Sequence, residues 1–312
     1  MKKKINLFFF GAGNIITEHI QAAKKFKEFR LYGIKSRTFS KANSLKKKYK
    51  IHNCFKDYKD IEIPKNQISV AIVGVSIENT YEVYKKIYNL FDVCLMEKPL
   101  GYNLDQAKKI NELSKKSDTK IFVALNRRFF FSTQELLKKI TKEKSKRIVN
   151  IVDTQNPKLC SNRFPYKIIK NWIFANSIHM IDYINIICRG QIKKIENIYG
   201  KKDNVKVLKI LFTSNDICFY SQYWNLPGPW SVSISNNKGF YKLEPLEELS
   251  FRETDHISFQ KVKRHKLDLI FKPGFYNMYR NLSLFVQRKK NNLVDIQKSL
   301  NLMKIIDKIK KK

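Results

Sequence analysis

Ile5-Asn6-Leu7-Phe8-Phe9-Phe10-Gly11-Ala12-Gly13-Asn14-Ile15-Ile16 decides how the first half of this chain folds. Ile5 to Phe10 is an apolar run of strand length, the composition of a strand covered on both faces of a parallel sheet. Thr17 to Phe29 reads as a helix. Strand, G-x-G turn and helix form the context of a dinucleotide fingerprint. The first glycine permits the tight turn. The second lets the backbone approach a pyrophosphate, whose charge rests on the helix N-terminus. Gly11, Gly13, Asn14 and Ile15 are therefore candidate cofactor contacts. The third position of the pattern, usually Gly or Ala, is Ile16 here, which predicts a wider helix–strand spacing.

Outward from that turn, Leu31 to Ser36 reads as the second strand. An NAD-selective site places an acidic residue at its end, to bond the ribose 2′-hydroxyl. Ser36 and Arg37 stand there instead. A hydroxyl beside a guanidinium suits a 2′-phosphate, because arginine offers a charged fork of donors. NADP is expected over NAD, with NAD possible. Ala42 to Tyr49 is a short basic helix. Val70 to Val75 is a buried strand whose end, at Val75, passes under the cofactor. Tyr81 to Leu90 is an amphipathic helix, Val93 to Met96 a strand, Leu104 to Ser114 a helix and Ile121 to Leu125 a strand. This alternation predicts an α/β fold with a doubly wound parallel Rossmann sheet over residues 1–125.

The Leu95-Met96-Glu97-Lys98-Pro99-Leu100 stretch places a lysine between a carboxylate and a proline at a strand end. Lys and Glu are seldom buried unless paired, so Glu97 is expected to hold the Lys98 ammonium. Pro99 ends the strand because it donates nothing to the ladder.

Past Phe131 the alternation breaks down. Ser132 to Thr141 is a helix, Arg147 to Thr154 a strand and Asn156 to Pro165 a loop. Asn176 to Cys188 reads as a helix with Ile178, Ile181, Ile184 and Ile187 in one apolar stripe. His179 and Asp182 lie three apart on one face of it. Asp182 is expected either to orient the imidazole or to pair with something structural. Ile192–Tyr199, Val205–Thr213, Ile217–Trp224, Trp230–Ser235, Phe240–Leu243 and Ile257–Val262 have strand composition. Phe275–Gln287 and Leu293–Ile309 are closing helices. Residues 126–312 are thus expected to form an α+β domain with a large, mostly antiparallel open sheet, used for substrate binding and oligomerisation. Trp172, just ahead of the His179 helix, is a candidate substrate contact.

The formal charge is +35 over 312 residues, which in isolation points to nucleic acid or an acidic surface. The lysines are spread along the whole chain among abundant Asn and Ile, so a composition bias is the better reading and neither a nucleic-acid nor a membrane partner is expected. The five cysteines are scattered, with no C-x-x-C pair. Neither a disulfide framework nor a metal site is expected. Met1-Lys2-Lys3-Lys4 before an apolar run imitates a secretory leader, yet no small-residue cleavage site follows. A cytoplasmic location is the expectation.

The combination of G-A-G-N-I at 11–15, His19, E-K-P-L at 97–100, N-R-R-F at 126–129, His179-x-x-Asp182 and Lys272-Pro273-Gly274-Phe275 resembles the glucose–fructose oxidoreductase / inositol dehydrogenase / MocA family over nearly the whole chain. The resemblance implies an NAD(P)-dependent oxidoreductase of a sugar, polyol or nucleotide-sugar, within carbohydrate or surface-polysaccharide metabolism. It implies Lys98 beside the nicotinamide and reacting hydroxyl, with Glu97 next to the cofactor, and His179 as general acid/base. Asn126, Arg127 and Asn176 join Trp172 as substrate-side candidates. It also implies a homodimer or homotetramer, the second face of the large sheet packing on another subunit. One position departs from the pattern. Many members carry an Asp four residues before the histidine, and Ala175 stands there. Asn176 replaces it as a hydrogen-bonding group but takes no proton. The alternative reading is a catalytically altered NAD(P)-binding sensor or assembly protein on the same fold.

Overall fold

The computed structural model describes residues 4–200 and 204–312. The basic start Met1–Lys3, part of the leader-like pattern, lies outside them. The chain divides into two compact units. One takes Met1–Asn126 and Phe275–Met303, the other Arg127–Gly274 and Lys304–Lys312.

In the first unit, β1 (Ile5–Phe10) is wholly buried. Its one polar side chain, Asn6, donates from Nδ2 to Gln67 Oε1 at 2.9 Å, as a buried amide requires. The other strands are β2 (Phe29–Lys35), β3 (Asn53–Phe55), β4 (Ile68–Val73), β5 (Val93–Glu97) and β6 (Lys120–Ala124), with β15 (Val294–Asp295) at one edge. Their order is β15-β6-β5-β4-β1-β2-β3. All pair in parallel except β15, which runs antiparallel on β6. Strand order reverses between β1 and β4, the crevice where such sheets bind ligands beyond their carboxyl ends. The connecting helices are α1 (Asn14–Ala23), α2 (Phe39–Tyr49), α3 (Thr80–Ile87) and α4 (Leu104–Ser114).

Two differences from the sequence reading have clear causes. The first helix stops at Ala23, not Phe29, because Phe29 opens β2 in register with Ile5. The closing stretch from Leu293 is not all helix. Val294 and Asp295 extend against Val123 and Phe122 before α10 (Ile296–Lys310) begins. That pairing and α9 (Phe275–Val286), which packs on α1, tie late residues to the parallel sheet. A linear cut at residue 125 therefore does not follow the packing.

The second unit contains an eight-stranded sheet in the order β14-β13-β12-β11-β7-β10-β9-β8. Its strands are β7 (Ile148–Gln155), β8 (Ile192–Tyr199), β9 (Val205–Phe212), β10 (Ile217–Trp224), β11 (Trp230–Asn236), β12 (Gly239–Leu243), β13 (Leu249–Glu253) and β14 (Gln260–Val262). Only β7 and β10 pair in parallel; the sheet is otherwise antiparallel. Leu249–Glu253 forms a strand although its alternation is too short and too charged to read as one. Ile257, read as strand, is 96% exposed. α5 (Phe131–Thr141) precedes β7, α6 (Tyr166–Ile169) and α7 (Ile178–Ile187) lie between β7 and β8, and α8 (Lys266–Ile270) follows β14. All four isoleucines of the α7 stripe are buried, and so are Met180 and Tyr183. A helix apolar on nearly every side must be enclosed. It packs on β7, whose Val149, Ile151, Asp153 and Gln155 point to one buried face. Among the described residues no helix is long and apolar enough to cross a membrane.

Candidate functional site

The glycine turn is built as the sequence implies. Gly11 has φ +116°, and a Cβ there would lie 2.4 Å from the Gly74 carbonyl oxygen, so only glycine fits. A Cβ on Gly13 would meet nothing within 4 Å, which leaves that backbone open to an incoming group. The bulky Ile16 is accommodated by a missing side chain opposite it. A Cβ on Gly74 would sit 2.7 Å from Ile16 Cδ1. The expected widening of helix–strand spacing is thus met by Gly74, at the end of β4.

A pocket of about 450 Å³ opens beside this turn, lined by Gly11–Gly13, Lys35–Thr38, Gly74–Ser76 and residues of α2 and α3. Ser36, Arg37 and Val75 lie on its wall. Lys35, Lys41 and Lys86 add three more cations, opposed by one carboxylate, Glu82. Tyr58 stacks on Phe10 at 6.1 Å and has Lys35 and Lys86 ammonium groups 4.8 and 4.9 Å from its ring. Burial pushes its phenol up. Sequence reasoning missed Lys41, Tyr58 and Lys86, because they come from three separate segments and no spacing joins them. A bare glycine floor under a cationic rim fits the phosphates of a dinucleotide. Asn14 and Ile15 sit in the first turn of α1, Asn14 exposed and Ile15 half-buried, and neither lines this pocket.

Glu97 has a partner the sequence did not assign. Its Oε1 lies 2.9 Å from His19 Nε2, and His19 Nδ1 lies 3.0 Å from the Tyr279 hydroxyl. His19 is fully buried, so this relay from α9 through α1 to the end of β5 holds the strand end that carries Lys98. Burial, then the Glu97 charge, pushes the Tyr279 phenol well up. Lys98 is half-buried just beyond β5 rather than within the sheet.

In the second unit, His179 is the second residue of α7 and is 6% exposed. Asp182, left open between two roles, is gripped by Arg128. Nε and Nη2 each lie 2.5 Å from one carboxylate oxygen, the fork geometry of a bidentate pair. The structural reading of Asp182 is the one this geometry supports. Before α7 the backbone widens into a single π turn, Ile173–Ser177, containing the buried Ala175. Such turns re-aim the side chains that follow.

Trp172 is 5% exposed. Its indole N–H donates to Gln155 Oε1 at 3.2 Å, and Asn176 Nδ2 donates to the same oxygen at 2.7 Å. Gln155 Nε2 in turn donates to Asp153 Oδ1 at 2.6 Å, and the Tyr220 hydroxyl to Asp153 Oδ2 at 2.6 Å. Trp172 is thus spent on a buried polar chain rather than offered as a stacking face. Asn126 is buried at the end of the first unit's main segment. Arg127 stacks on Trp230, with Cζ 4.0 Å from the ring centroid.

Residues 5–125 match the model of an oxidoreductase family with an NAD-binding Rossmann fold. No curated protein sequence matches. Among solved structures, a dehydrogenase from Chromobacterium violaceum aligns with TM-score 0.81 and 13% identity over 98% of this chain and 94% of its own. Levoglucosan dehydrogenase, in complex with NADH and L-sorbose, aligns at 0.80 and 13% over 99% and 96%. The MviM dehydrogenase from Clostridium difficile aligns at 0.77 and 19% over 98% and 99%. At these identities the likeness is one of fold, and it spans both units. Over residues 5–125 the chain is similar to the glucose–fructose oxidoreductase / inositol dehydrogenase / MocA family of oxidoreductases.

Proposed function

We propose that the chain is an NADP-preferring oxidoreductase that moves a hydride between nicotinamide and a hydroxyl or carbonyl of a sugar, polyol or nucleotide-sugar. The observation that carries the cofactor preference is the end of β2. Ser36 and Arg37 face the pocket where a carboxylate would mark an NAD site, and Lys35, Lys41 and Lys86 reinforce the positive rim. Levoglucosan dehydrogenase holds NADH, so the preference rests on this chain's own residues.

NADP supplies the hydride acceptor or donor. Gly11 and Gly13 leave room for its pyrophosphate, and the α1 N-terminus favours that charge. Lys98 stabilises a developing alkoxide by charge and hydrogen bonding. His179 takes the hydroxyl proton in oxidation and returns it in reduction.

Fluorescence titration tests the cofactor assignment. NADPH is expected to bind at least about tenfold tighter than NADH, the worth of a charged hydrogen-bond pair. Arg37→Ala should erase that gap while leaving NADH binding unchanged. A wild-type protein that binds both alike overturns the preference. Turnover on a sugar and polyol panel tests the rest. Lys98→Ala and His179→Ala should each cut kcat by about a hundredfold or more. Tight cofactor binding with no turnover would instead favour the sensor reading, which Ala175 motivates.

A further inference from the structure

Arg127 is a half-buried cation of the second unit. Its guanidinium sits over the Trp230 ring, and Nη1 reaches Met180 Sδ at 3.4 Å. Among the described residues no carboxylate lies within ion-pair distance of it, while Arg128 next door is doubly engaged by Asp182. Burial pulls its pKa down to about 10 against the pull of Tyr183, Glu247 and Asp153. A guanidinium partly withdrawn from water without an ion pair is costly. Such a side chain persists where a ligand supplies the missing charge.

The group faces a cavity of about 350 Å³ walled by Pro229, Trp230, Pro245, Leu246, Glu244 and Glu247. That is near the lower end for small-molecule sites, about 300–1,000 Å³. The wall is mostly apolar, with two carboxylates. Glu244 is 3.0 Å from the Lys242 ammonium, which offsets its charge. Glu247 remains to face the cavity.

We infer that this cavity is a subsite for a singly charged carboxylate bearing hydroxyl groups, that is, a sugar acid. The planar fork of Arg127 matches a carboxylate. One cation balances one negative charge, and Glu247 opposes a second, so a phosphate dianion is disfavoured. The same Glu247 accepts hydrogen bonds from hydroxyls, and Trp230 and Pro229 offer the apolar side on which a carbon chain lies. Calling this ligand the substrate rests on the oxidoreductase reading; its binding does not.

The test is calorimetry on the full chain without cofactor, with gluconate, sorbitol and glucose 6-phosphate as probes. Gluconate and sorbitol differ only in the carboxylate. Gluconate is expected to bind about tenfold or more tighter than sorbitol, and also tighter than the phosphate ester. Arg127→Met should bring gluconate down to the level of sorbitol. Glu247→Gln should leave gluconate bound and strengthen glucose 6-phosphate severalfold. If wild-type protein binds gluconate no better than sorbitol, the subsite is refuted without reference to any variant. Equal gluconate affinity in Arg127→Met refutes it as well. Carboxylate-selective binding without turnover upholds the subsite and sinks the proposed function. Turnover of neutral sugars without carboxylate selectivity does the reverse.

Discussion

At the scale of single residues, hydrogen-bond polarity fixes how the buried polar chain of the second unit is arranged. A tryptophan N–H only donates and an ionised carboxylate only accepts. Gln155, caught between Trp172 and Asp153, must turn its oxygen to the first and its amide nitrogen to the second. Asn176 must then donate to Gln155, which leaves its own carbonyl as an acceptor. Asp153 is fully buried, and burial pushes its carboxyl up. A raised carboxyl pKa means that the folded state holds its proton longer than the unfolded chain. Stability from this group is full below the ordinary carboxylate value and falls as pH rises through the folded pKa. Asp153→Asn, which keeps the shape, should gain stability relative to wild type as pH rises from about 4, read from urea midpoints across pH. A constant difference would refute this. Gly74 makes a second case. Gly74→Ala drives a methyl into Ile16 and should lose about 1–3 kcal/mol. Adding Ile16→Val should restore much of that loss in the same unfolding experiment.

At the scale of elements, α7 is held less by its own propensity than by what grips it. Its face carries four isoleucines into the core, and the Arg128–Asp182 fork fixes it to the turn before α5. Asp182 is 3% exposed. Breaking a buried pair strands one charge, so Arg128→Ala should cost about 3 kcal/mol. A double-mutant cycle with Asp182→Asn should show strong coupling. If the two losses merely add, the pair does not anchor the helix. The Glu97–His19–Tyr279 relay performs the same task for the end of β5.

At the scale of the whole molecule, the burial alternation of the large sheet leaves Val207, Leu211, Phe219 and Tyr223 part-covered on the face opposite the buried one. An antiparallel sheet keeps one polar face when that face meets water; this one sets those four apolar side chains beside Lys209 and Ser221. We propose a second copy of the chain there, and light scattering should find a dimer or tetramer. Phe219→Lys should shift it to smaller species. A wild-type monomer would end that proposal. The parallel sheet was legible because β1, β4 and β5 are largely buried and therefore written in nearly continuous apolar residues, Asn6, Ser69 and Glu97 apart, punctuated by glycines that sterics demand. The antiparallel strands were legible by alternation, except Leu249–Glu253, too short and too charged to carry a period. The α7 stripe was equally plain, because helical spacing is a local property. By itself the sequence determined the two sheets, the G-x-G turn and the acid-poor end of β2, all of which follow from neighbours along the chain. Only the tertiary structure decided that Glu97 meets His19, that Asp182 meets Arg128, that Gly74 makes room for Ile16, and that Arg127 faces a cavity without a counter-ion. Each of these pairings joins residues from separate elements, and which side chains meet is set by how elements pack, which no spacing along the chain encodes.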